Sequence, residues 1–94
     1  MKYSLRSLVS TAEQLLQAKG DRDHVNDTLM SVMNRLSQIL KRSCTEIALR
    51  MEDNRLTDSE GRIRVETQSG PKMTHWTVSL DEQIVEETVA HDST

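Results

Sequence analysis

The sequence predicts an α+β fold: two antiparallel helices, the second one long, followed by a small antiparallel β-hairpin and a short acidic C-terminal segment. Three observations predict it. Val25, Leu29, Val32, Leu36 and Ile39 recur at spacings of four and three, the period of a packed helix seam, and Met30, Met33 and Leu40 widen the stripe. Leu5, Leu8, Val9, Ala12, Leu15 and Leu16 repeat that period earlier in the chain. After Gly61 the period drops to two, with Ile63, Val65 and Thr67 on one side of Gly70-Pro71 and Trp76, Val78 and Leu80 on the other.

The first helix can start at Ser4 or at Ser10, where Ser10 and Glu13 have capping-box spacing. Ser4 is preferred because Leu5, Leu8 and Val9 share the later apolar face. Gly20 supplies the permissive residue just past a helix end, and Asp21 or Asp23 can cap the next helix, so a short turn joins antiparallel neighbours. The second helix is expected to run to about Asp53, with Asn54 as a left-handed cap. Glu46 to Glu52 consists mostly of strong helix formers, and Met33, Leu36, Leu40, Cys44, Ile47 and Met51 continue at helical spacing. The competing signal is Thr45, Ile47, Leu49 and Met51, which alternate as a strand does. A helix of that length spans roughly 45 Å, whereas a chain of this size is about 30 Å across. The stripe would overhang its own domain, and a second protomer is the simplest cover.

Thr57 to Gly61 reads as a turn-rich loop, and the hairpin occupies residues 62–68 and 73–80 with Trp76 facing the helices. Residues 81–90 fit a short acidic helix or a third strand. Residues 1–90 are taken as one small domain and 91–94 as a disordered tail.

Composition limits the chemistry. There is no Phe, only Tyr3 and Trp76 are aromatic, and the single Cys44 excludes an internal disulfide and fits a reducing, cytoplasmic compartment. The N-terminus has no continuous apolar run, so neither a signal peptide nor a membrane partner is expected. His24, His75, His91 and Cys44 form no familiar metal-ligand spacing, and Gly20, Gly61 and Gly70 are too dispersed to cradle a phosphate. Cys44 lies on an apolar row, where a thiol is usually a buried hydrophobe. The adjacent acids Glu52/Asp53 and Glu86/Glu87 read as solvated charge. No catalytic, cofactor-binding or metal-binding residue is assigned, and the chain is not expected to be an enzyme.

Charge divides unevenly. Residues 1–50 hold eight Lys or Arg against five Asp or Glu, and residues 51–94 hold four against ten. These features describe a small cytoplasmic protein-binding regulator or adaptor, of inhibitor or anti-activator type. It would act as a homodimer through Val25, Leu29, Val32, Met33, Leu36, Ile39 and Leu40, with Asp81, Glu82, Glu86 and Glu87 engaging another protein. One alternative is a nucleic-acid-binding transcriptional regulator using Arg35, Lys41 and Arg42 as a basic helix face. Against it stand the acidic balance and the shortage of aromatic platforms. A second alternative is a small acidic secretion or assembly chaperone.

Overall fold

Two helices and a four-stranded antiparallel sheet form an α+β fold in the computed structural model, which describes residues 3–91. Helix α1 spans Leu5–Gln17, and Ser4 caps it by accepting the Ser7 amide on its hydroxyl. Gly20 is not the left-handed residue of the following turn. Lys19 takes that conformation at φ 53°, while Gly20 sits so close to Leu15 that a Cβ would lie 3.2 Å from Leu15 Cδ2. Glu13 forms no capping box with Ser10. Its carboxylate lies mid-helix and accepts the backbone N–H groups of Leu56 and Thr57 and the Thr57 hydroxyl, tying the connection before the hairpin to α1.

Helix α2 spans Arg22–Leu40 and ends where Lys41 turns left-handed at φ 56°. This corrects the expected end at Asp53. A capping box between Ser43 and Glu46 starts a 3-10 turn over Cys44–Glu46 instead, and β1 follows at Ile47–Leu49. The alternation of Ile47 and Leu49 prevails over helix propensity because it lets both side chains face the core from a strand. Asn54 does adopt left-handed geometry, but beside Asp53 in a tight turn bracketed by reciprocal Glu52–Arg55 backbone bonds. At 19 residues α2 is about 28 Å long, within the 40 Å long axis of the molecule. The overhang that called for a second protomer is absent.

Strands β2 (Ile63–Ser69) and β3 (Lys72–Val78) form the expected hairpin. Gly70 has φ +62° and Pro71 occupies the third turn position, a type II′ arrangement whose twist suits a two-residue hairpin. Of the two options for residues 81–90 the strand forms, as β4 at Ile84–His91, with residues 81–83 in the turn before it, so the hairpin is part of a four-stranded sheet. The sheet order is β1-β2-β3-β4. The expected tail, beyond the strand backbone of His91, lies outside the described residues.

One sheet face carries the core. Leu5, Val9 and Ala12 of α1 and Val32, Leu36 and Leu40 of α2 meet Ile47, Ile63, Val65, Trp76 and Val78 there. Trp76 is 8 % exposed and its Nε1 donates to the buried Thr67 hydroxyl. Among the described residues, none of β4 belongs to this cluster. Among the described residues, no helix is long and apolar enough to cross a membrane.

Candidate functional site

The β3–β4 connection is a tight turn. The Ser79 N–H donates to the Gln83 carbonyl, and the Glu82 N–H donates back to the Ser79 carbonyl. This leaves Glu82 left-handed at φ 68° and points two consecutive acids at the helices. Asp81 pairs with Arg6 of α1 at 2.9 Å, and Glu82 accepts two hydrogen bonds from the Arg35 guanidinium of α2. Those hydrogen bonds are the main reason the Glu82 carboxyl lies below the usual carboxylate range. Partial burial opposes the shift and charge attraction adds to it. The Arg35 guanidinium is raised by the same contact.

The four acids expected to act together are therefore separated. Asp81 and Glu82 hold the turn onto the helices, whereas Glu86 and Glu87 stand on β4 outside any salt bridge among the described residues. Arg35 likewise leaves the expected basic face. Lys41 and Arg42 instead line a cleft of about 530 Å³ with Lys72, Ser43, Glu46 and Ser69. Nothing in the sequence signalled the arrival of Lys72 there, because it comes from the far end of the hairpin.

The seam assigned to a dimer is largely occupied within the chain. Val25, Val32, Leu36 and Leu40 are buried, and Leu29, Met33 and Ile39 pack against the core. The large apolar side chains still exposed lie elsewhere, at Tyr3, Met30 and Met51 and, grouped on one strand, at Ile84, Val85 and Val89.

That strand is a long sheet edge. The opposite edge, β1, has three residues, whereas β4 has eight and is bonded on one side only among the described residues. Register fixes its two faces. Glu87 and Val89 lie opposite Trp76 and Thr74, on the helix side, while Glu86, Thr88 and Ala90 lie opposite Thr77, His75 and Met73. An irregularity at Thr77/Val78 brings Ile84 opposite Val78, on the helix side, and leaves Val85 as the extra residue without a partner on β3. Of the devices that commonly protect an edge strand, β4 lacks short length, Pro and Lys, and carries the bulge at Val85 and the charges of Glu86 and Glu87. Ile84, Val85 and Val89 remain 42–46 % exposed because the helices stop short of β4. The alternating apolar residues were visible in the sequence. Their exposure was not, since it depends on how far the helices reach.

The face away from the helices is polar. Glu66 lies 3.5 Å from Arg50 and 3.4 Å from His75. The Cys44 thiol is half-buried and donates to Asn34 Oδ1 at 2.9 Å. Among the described residues no group of three or more His, Cys, Asp or Glu converges as metal ligands would. No protein family, curated protein or solved structure matches the chain.

Proposed function

We propose that this chain is a small cytoplasmic protein-binding module of regulator or adaptor type, and that it engages its partner at the outer edge of β4. The observation that carries the reading is an eight-residue edge strand with three exposed apolar side chains and unpaired acids between them. Such an edge offers a row of backbone donors and acceptors, and an extended segment can complete it as an added strand. The lone thiol of Cys44 fits the proposed compartment. Dimerisation through the helix seam is not part of this reading, because Val32 and Leu36 are fully buried in one chain.

A photo-crosslinking residue at Thr88, tested in the source cell, examines the reading. It should give a protein adduct of defined mass that disappears when Val85→Asp and Val89→Asp are added. The same crosslinker on the exposed helix position Thr11 should give none. An adduct insensitive to those two substitutions, or one made of nucleic acid, overturns the proposal.

Nucleic-acid binding has one observation in its favour, the shared cleft of Lys41, Arg42 and Lys72. Phosphate contacts there would make binding to bulk DNA or RNA strongly salt-dependent and sensitive to Lys72→Glu. Arg35→Ala would have no direct effect, because that residue serves the β3–β4 turn.

A further inference from the structure

We infer that the segment completing β4 is an extended peptide of the pattern apolar, any residue, basic, basic, apolar, running antiparallel to β4. This deepens the protein-binding reading and rests on it. The existing sheet is wholly antiparallel, and antiparallel pairing is the slightly more stable ladder. Residues directly opposite in such a ladder share a face, so the side chains of β4 dictate those of its guest one by one. The guest residue across from Val89 lies on the helix side beside exposed apolar surface, and the residue across from Val85 meets a second exposed apolar side chain four positions later. Between them, Glu87 and Glu86 project to opposite faces of the sheet. Two consecutive basic residues on the guest would therefore meet one carboxylate each.

Charge selects this guest over a second copy of the chain. Two β4 strands side by side would gather four carboxylates from Glu86 and Glu87, and residues 81–94 contain no Lys or Arg to offset them. Because Asp81 and Glu82 are held by Arg6 and Arg35, Glu86 and Glu87 are the acids left to bind a guest among the described residues of this segment.

The test uses the full chain and three fluorescein-labelled nonapeptides, read by anisotropy. Their central residues are Val-Thr-Lys-Lys-Val, Val-Thr-Glu-Glu-Val and the same-composition scramble Lys-Val-Thr-Val-Lys, with identical Ser-Gly flanks. The first should bind saturably and weaken as salt rises, and the other two should bind about tenfold more weakly, the scale of two cross-strand charge pairs made repulsive or misplaced. The E86K/E87K variant, whose fold is checked by Trp76 emission, should reverse the preference between the first two peptides. Equal binding of all three peptides, or a preference that E86K/E87K leaves unchanged, overturns the inference. So does light scattering that finds a wild-type dimer which Val89→Lys converts to a folded monomer. If the peptides fail while the Thr88 adduct still depends on Val85 and Val89, only the chemistry of the guest is wrong. If both fail, docking at β4 itself is rejected.

Discussion

The hydrogen bond between Trp76 and Thr67 tests how the sheet is held beneath the helices. Trp76 Nε1 donates to Thr67 Oγ1 at 2.8 Å, and the two residues are only 8 % and 6 % exposed. Thr67→Val keeps the β-branched shape and leaves the indole N–H without its acceptor. An unpaired buried donor costs about 1–3 kcal/mol, and the methyl that replaces the hydroxyl returns roughly 0.8 kcal/mol. The net destabilisation is therefore about 0–2 kcal/mol. Each kcal/mol moves Tm by about 4–8 °C in a domain of this size. Because this range reaches zero, the decisive measurement is a double-mutant cycle with Trp76→Phe, in which the cavity left by the smaller ring is common to both backgrounds. The coupling should be about 1 kcal/mol, from urea unfolding followed by far-UV circular dichroism. Strictly additive losses would mean that packing alone positions the indole and that the bond contributes nothing.

Leu36 has no exposed surface, so Leu36→Asp should abolish folding and not release a folded protomer; a folded monomeric variant in size-exclusion chromatography would refute the placement of the seam. Glu13→Ala removes the acceptor for three hydrogen bonds to Leu56 and Thr57. It should cost about 1.5–3 kcal/mol and speed proteolytic nicking between residues 52 and 60, whereas unchanged stability and cleavage would dismiss the tether. The Glu82 carboxyl is lowered in the folded state, chiefly by its hydrogen bonds from Arg35. Its stabilising contribution is then complete above the ordinary glutamate pKa and lost as pH falls through the lowered value. In Tm profiles Glu82→Gln should lose stability at neutral pH and show a shallower acid decline, and parallel profiles would disprove the linkage.

How much was legible depended on whether a signal was local. Ser4, the two apolar helix faces and the alternation around Gly70-Pro71 act within a few residues, and α1, α2 as far as Leu40 and the central hairpin form from them. The segment after Leu40 was misread because Glu46 to Met51 favours a helix in isolation. Ile47 instead pairs with Thr67 and Leu49 with Val65, partners on a strand that sequence spacing does not reveal. The stripe from Val25 to Leu40 looks uncovered in sequence for the same reason, and α1 and the sheet cover most of it within one chain. For the candidate site, the sequence marked 81–87 as acidic. It could not divide those acids, because the division depends on which residues reach Arg6 and Arg35.

The limited reach of the helices also sets up a gradient of local stability. Opening β2 or β3 would expose Ile63, Val65, Trp76 and Val78, which amounts to unfolding the domain. Peeling β4 away breaks one ladder and removes none of the clustered core residues, so its backbone amides should exchange with solvent through a sub-global opening of lower free energy. The molecule then has two tiers, a cooperative unit from α1 to β3 and a looser strand at its margin. A guest strand would add a second row of backbone bonds to that margin, and occupancy would be recorded first as slowed amide exchange along β4, with the interior already too protected to respond.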